Sequence, residues 1–311
     1  MQRLFKNISQ PLLANLLIIF TMIAWGTSFI STKIAIAEIP PFTLALLRLS
    51  VTSVILWPIF RHLEPATRLE PAGRRRFAIT GFLGITLYFC LENMGLSFTT
   101  ASNASLITSF APLLSIALSV MFFRARLSLV EILGVLLGIT GSYLTITANG
   151  NLDFSSENFV GNLFVIGAMF SWTLYTIFSQ KQQARNSDLA IVTYQTIFGT
   201  LLLIPFALTE FRQWHLFSLQ AFCQILYLAA ICSAACYFFY IYALKILDIA
   251  LTTLYLNLVP VTGVLTGFLV LGETIYPSQI VGGLLIISAI LTANSSKLID
   301  YFSQKDHKKT T

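Results

Sequence analysis

Charge is what this sequence has least of. Of 311 residues only 10% are Asp, Glu, Lys or Arg, while 56% are hydrophobic and the mean hydropathy is +0.79. A soluble domain carries about a quarter charged residues, so this chain cannot cover a water-facing surface with polar groups. Histidine (3) and cysteine (4) are also scarce, and they do not meet. Cys90, Cys223, Cys232 and Cys236 lie in apolar runs, whereas His62, His215 and His307 fall in loops or the tail. Cys232 and Cys236 stand one helical turn apart with no acid or imidazole nearby, a poor zinc pair that reads instead as buried small residues. No Gly-rich phosphate loop is present, and no polar stretch is long enough for a soluble domain, which disfavours an ATP-driven pump. Aromatic–basic interleaving of the kind nucleic acid requires is missing, and no pattern calls for a cofactor.

What the chain does have is apolar runs of about 20 residues, the length of a membrane-spanning helix, rather than the ten-residue alternation of a barrel strand. They predict an all-α integral membrane protein of ten helices, near 13–36, 41–60, 77–96, 101–123, 129–148, 159–180, 190–209, 220–244, 249–271 and 277–295. The opening "MQRLFKNISQPLLANLLIIF" resembles a signal peptide. Its apolar character continues to about Ala37 without a small-x-small site, so it reads as a retained first span. With ten spans and a cytoplasmic N-terminus, all but three of the 19 basic residues fall in inner segments or the C-terminal tail. The exceptions are Lys33 and Arg212, outside, and Arg48, within the second span. That asymmetry predicts cytoplasmic N- and C-termini and assigns the net charge of +6 to topology and anionic lipid.

The chain also resembles itself. Shifted by 148 residues, "LITSFAPLLSIALSVMFF…EILGVLLGI" falls on "LYLNLVPVTGVLTGFLVL…QIVGGLLII", matching Pro112 to Pro260 and Gly134 to Gly282. At 147, Trp25 falls on Trp172 and Thr32 on Ser179. Residues 1–150 and 151–311 thus read as two repeats of five spans. An odd number of spans inverts the second repeat, an architecture whose site lies near the bilayer midplane between repeats.

Helical spacing then groups the polar residues. Thr21, Trp25, Ser28 and Thr32 share a face of the first span; Trp172, Tyr175 and Ser179 repeat it in the sixth. Ser105, Ser109, Pro112, Ser115 and Ser119 line the fourth, with Thr253, Asn257, Pro260, Gly263 and Gly267 as counterparts in the ninth. The third carries Gly81, Gly84, Tyr88, Glu92 and Gly95; the eighth carries Cys232, Cys236, Tyr240 and Ala243. Small and hydroxyl residues suit close helix packing, whereas Trp25, Trp172, Tyr88, Tyr175 and Tyr240 are too large for that and are candidates to line a pathway. Pro112 and Pro260 are candidate hinges. Intramembrane Arg48 and Glu92 have similar depth, so they either pair, share a polar cavity, or act as an anchor and an interfacial acid. Glu131 and Glu273 fall near span ends. Lys33, outside the first-span stripe, has no role in this pattern.

At "AWGTSFISTK", "LRLSV", "GLSFTTASNASLITSFAP" and "YALKILDIALTTLYLNLVPVTGVLTGFLVLGETIYPSQIVGGLLII" the chain resembles the drug/metabolite transporter superfamily, specifically its ten-span EamA-type exporters. The first repeat departs from the family's Leu-Gly-Glu stretch: "FRARLS" puts Ala125 opposite Glu273. The resemblance implies a helical basket around a central cavity and export of amino acids, nucleobases or other small amphipathic metabolites, moved by alternating access. The expected partners are a small-molecule substrate and the lipid bilayer. The cavity candidates are Trp25, Ser28, Arg48, Tyr88, Glu92, Ser109, Trp172, Tyr175, Tyr240 and Asn257. Glu92 could exchange a proton as coupling ion, or hold a substrate amine with Arg48 facing a carboxylate. The competing class is a multi-span membrane enzyme such as an acyltransferase, which needs an acid–base or nucleophile set that these histidines do not supply. The expected place is a cell membrane, a bacterial inner membrane, as a multi-pass protein.

Overall fold

Helices form wherever the apolar runs stand, and their polar faces turn inward. The computed structural model describes residues 9–67, 69, 71–99, 101–108, 111, 114, 118, 129–146, 156–247, 249–271, 277–278, 280–285, 288–289 and 292. In chain order the helices are α1 (Gln10–Ile36), α2 (Pro41–Leu63), α3 (Pro71–Gly81), α4 (Tyr88–Phe98), α5 (Ala101–Ile107) and α6 (Leu129–Ile146). Then follow α7 (Ser156–Gln182), α8 (Asp188–Leu208), α9 (Leu219–Tyr227), α10 (Cys236–Leu247), α11 (Ile249–Leu254) and α12 (Leu258–Leu271). Among the described residues there are no strands, and seven continuous helices are long and apolar enough to cross a membrane, with a shorter apolar helix at Ile132–Gly141. Much of the expected fourth and tenth spans lies outside the described residues, including Ser109, Pro112, Ser115, Ser119 and Glu273.

The first span shows why polar residues are tolerated. Leu12, Leu16, Phe20 and Ile23 are exposed on one side of α1, while Thr21, Ser28, Ser31 and Thr32 are buried on the other. Thr21 donates to the Leu17 carbonyl at 2.9 Å and Ser28 to the Trp25 carbonyl at 2.7 Å. Each hydroxyl is thereby satisfied within its own helix, as hydrocarbon requires. Lys33 ends elsewhere. Its Nζ donates to the carbonyls of Leu96 (2.6 Å) and Thr99 (2.9 Å), placing a cation on the C-terminal end of α4.

α2 and α8 lie antiparallel, and each carries an acid just beyond its C-terminus that receives the other's N-terminus. Glu210 accepts from the backbone N–H groups of Phe42 (3.1 Å) and Thr43 (2.7 Å) and from the Thr43 hydroxyl (2.8 Å). At the opposite end Glu64 accepts from Ser187 Oγ at 2.6 Å, the residue whose hydroxyl caps Ala190 N–H. Both acids complement the positive end of a helix. Between these ends Ser53 and Thr200 meet hydroxyl to hydroxyl at 3.3 Å. Pro58 in α2 and Pro205 in α8 stand one repeat apart.

A further correspondence was not legible in the sequence. α3 joins α4 through a π-helical segment, Phe82–Leu87, and α9 joins α10 through another, Leu228–Ala235, at nearly the same place in the second half. A π turn bonds i to i+5 and leaves carbonyls for outside donors. Leu83 O accepts from Ser171 Oγ (2.7 Å) and Gly84 O from Tyr237 OH (3.1 Å). Ala229 O accepts from Thr52 Oγ1 (3.1 Å) and Cys232 O from Trp25 Nε1 (2.8 Å). Gly84 is required here, because an added Cβ would stand 2.2 Å from the Tyr175 ring.

Candidate functional site

A cavity occupies the middle of the bundle, where both π segments point their neighbours. Its aromatic walls are Trp25 and Phe29 from α1, Tyr88 and Phe89 from α4, Trp172 from α7 and Tyr237 from α10. Ser28, Arg48, Glu92 and Thr108 are its polar members, and Met169, Leu256 and Val259 complete it. The free space is about 30 Å³, room for one or two waters and too little for an amino acid. This conformation is therefore closed around its polar groups.

Trp172 is the hub of the ring cluster. Its centroid lies 5.1 Å from that of Trp25 at an interplanar angle of 89°, and 4.9–5.5 Å from Tyr175, Tyr240, Tyr88 and Tyr237. Edge-to-face rings at this spacing add about 0.5–1.5 kcal/mol per pair beyond area burial. The two tryptophans that match between repeats thus touch.

Arg48 (3% exposed) and Glu92 (6% exposed) both face this cavity without an ion pair between them. Arg48 Nε donates to Ser233 Oγ at 2.8 Å, and its guanidinium carbon lies 4.5 Å from the Phe89 ring centroid. Glu92 Oε1 accepts from Tyr88 OH at 2.6 Å. Of the three arrangements left open by sequence, the structure shows the shared cavity. One cation and one acid, each held by a single side-chain hydrogen bond, therefore border the same small space.

Six of the candidates come together there: Trp25, Ser28, Arg48, Tyr88, Glu92 and Trp172. Tyr175 and Tyr240 do not line it. They pack behind Trp172, with Tyr240 OH 2.9 Å from Thr176 Oγ1. Asn257 is buried against Gly138 of α6 instead. Ser109 and Pro112 lie outside the described residues. Pro260 is the third residue of α12, just after a tighter 3₁₀ turn at Tyr255–Asn257. It has no N–H to offer the Leu256 carbonyl, so the helical ladder breaks there.

Sequence reasoning missed Tyr237, Ser233, Phe29 and Phe89. The faces of spans three and eight were drawn with a 3.6-residue period through segments that are π-helical, and a wider turn rotates everything beyond it. Tyr237 consequently faces the cavity and Tyr240 stands behind it. On the other span Gly95 turns away, crossing Gly161 of α7 so closely that a Cβ on either would come within 2.9 Å of the other's carbonyl oxygen. The aromatic density of "CYFFYIY" was the available signal. Cys90, Cys232 and Cys236 are buried, while Cys223 is exposed on the outer surface of its helix. Among the described residues no three His, Cys, Asp or Glu side chains gather as a metal site.

A multi-span helical bundle closed around buried ionisable and aromatic side chains is the form of a membrane transporter, and comparison with known proteins agrees. The EamA-like transporter family matches residues 12–147 and again 159–295, so this chain belongs to that family, in two repeats. An uncharacterized transporter of Archaeoglobus fulgidus is 29% identical over 282 residues, covering 89% of this chain and 95% of the relative. A protein of Streptantibioticus cattleyicolor named as a probable terminal-alkyne amino-acid exporter is 27% identical over 289 residues, covering 90% and 93%. A solved crystal structure superposes with a TM-score of 0.75 at 19% identity, over 90% of this chain and 98% of the other, a likeness of fold.

Proposed function

We propose that this transporter exports small amphipathic metabolites, amino acids or closely related compounds, from the cell across a bacterial inner membrane by alternating access. In this reading ten spans form two inverted repeats, residues 1–150 and 151–311, with both termini cytoplasmic. The antiparallel α2 and α8, capped reciprocally by Glu210 and Glu64, support the inversion. So does the gathering of Arg61, Arg76, Lys181, Arg185 and Lys245 at one end of the bundle.

The observation that carries the substrate class is Arg48 and Glu92 on one cavity without a direct pair. A zwitterion brings the missing partners: its carboxylate to the guanidinium, which forms bidentate contacts, and its ammonium to Glu92. The remaining wall, Trp25, Phe29, Trp172, Leu256 and Val259, suits an apolar side chain. The relative named as an amino-acid exporter supports the same class. When no substrate is present, Glu92 can carry a proton in place of the ammonium, which couples export to proton entry.

The closed cavity must open alternately to each side. The π segments and the break before Pro260 stand on spans that border it and are the places where helices can bend. Reconstituted protein exchanging radiolabelled apolar amino acids, compared with empty liposomes, tests the reading. Glu92→Gln should abolish the pH dependence of exchange and reduce its rate. If rate and pH dependence both survive, Glu92 holds neither proton nor amine.

A further inference from the structure

The central cavity accounts for Arg48 but not for the cations at the basic end of the bundle. There a larger cleft, with free space of about 390 Å³, opens between α3 and the end of α7. Arg76, Ile79 and Thr80 line it from α3. Phe178, Lys181 and Gln182 face them at i, i+3 and i+4 of α7, and Arg185 follows in the turn beyond. Gln182, 7% exposed, donates Nε2 to the Arg76 carbonyl and to Thr80 Oγ1, each at 3.1 Å, and so joins the two walls at the floor.

The cations here are not neutralised by neighbours. Among the described residues the ion pair at this end joins Lys245 to Asp188 at 3.9 Å, and Arg76 and Arg185 have no carboxylate within ion-pair distance. Immediately beside them the cleft turns apolar. Ile79 is 46% exposed and Phe178 37% exposed, on helices whose outer faces meet lipid. A mouth of cations above a hydrocarbon wall has the polarity profile of a phospholipid with an anionic headgroup. A zwitterionic headgroup would bring its own cation to the same three, and a free phosphate would have no use for the apolar wall.

We propose that this cleft binds an anionic phospholipid, with its phosphate held by Arg76, Lys181 and Arg185 and an acyl chain against Ile79 and Phe178. Such sites between helices at a basic membrane face follow from the attraction of lysine and arginine for anionic headgroups, about 1 kcal/mol per cation. The assignment does not depend on what the central cavity transports.

The test is native mass spectrometry of the purified full-length protein, delipidated and titrated with phosphatidylglycerol or phosphatidylcholine. Phosphatidylglycerol should bind roughly tenfold or more tightly than phosphatidylcholine, and Arg76→Gln with Arg185→Gln should remove that preference. Arg74→Gln with Arg75→Gln, the same charge change outside the cleft, should keep it. Inorganic phosphate at matched concentration should fail to displace the lipid. Equal loss in both double variants, no preference in the wild type, or displacement by phosphate would each overturn the proposal. If the first double variant does not fold, Arg185→Gln alone, in a turn outside the helix, should weaken phosphatidylglycerol roughly fivefold, and no change would overturn it.

Discussion

Replacing Arg48 by methionine separates a structural arginine from a substrate-binding one. Methionine keeps an unbranched apolar stem of similar reach and removes the charge. Three terms compete. The hydrogen bond to Ser233 at 2.8 Å is lost, about 1.5–3 kcal/mol for a charged donor. The contact over Phe89 at 4.5 Å is lost, about 2 kcal/mol when desolvated. Against these, an ion at 3% exposure with no carboxylate in ion-pair range no longer has to be desolvated, which returns several kcal/mol. The terms nearly cancel, so Arg48→Met should melt within a few degrees of wild type in lipid nanodiscs. Transport should respond very differently, because the contact to a carboxylate substrate is gone; about 3 kcal/mol corresponds to a roughly hundredfold loss of exchange. The assay is amino-acid exchange in proteoliposomes beside a melting curve on the same preparation. A drop in melting temperature of more than about ten degrees would make Arg48 an anchor of the fold, against the cancellation above. Wild-type exchange would remove it from the site.

Trp25→Phe deprives the Cys232 carbonyl of its donor at 2.8 Å and trims the edge-to-face contact with Trp172; the two losses sum to about 2–4 kcal/mol of stability, read from thermal unfolding. Glu210→Ala should destabilise by about 2 kcal/mol or more, because two backbone N–H groups and the Thr43 hydroxyl lose their acceptor. Glu64→Ala, which releases only the hydroxyls of Ser187 and Thr67, should lose about half as much; equal effects would contradict the capping account. Glu38, in the connection between α1 and α2, accepts from Ser218 N and Oγ, both at 2.7 Å. First the Ser218 backbone bond and then its hydroxyl bond hold this carboxyl below its ordinary 4.5. The contribution is therefore present at neutral pH and lost as pH falls through that depressed value. Glu38→Gln should flatten the acid side of the stability profile, and an unchanged profile would dismiss the link.

The sequence by itself determined what depends on local pattern. Apolar run length and scarce charge made the chain a helical membrane protein, because only internally bonded helices or closed barrels satisfy a backbone in lipid. The pairing of Trp25 with Trp172 and the two lone ionisable residues, Arg48 and Glu92, were legible for the same reason: each stands out against hydrocarbon. Tertiary structure decided what depends on packing between distant segments. No local signal announces that residues 82–87 and 228–235 wind as π-helix; that conformation is stabilised by Ser171, Tyr237, Thr52 and Trp25, all on other helices. Because those turns rotate everything after them, Tyr237 rather than Tyr240 reaches the cavity, and Gly95 serves a helix crossing. Lys33 found its partners in the end of α4, and Arg48 found Ser233, each across a distance in sequence that periodicity does not reach. A helical period assigns a residue to a face; only the neighbours of that face decide whether it meets lipid, another helix or the pathway.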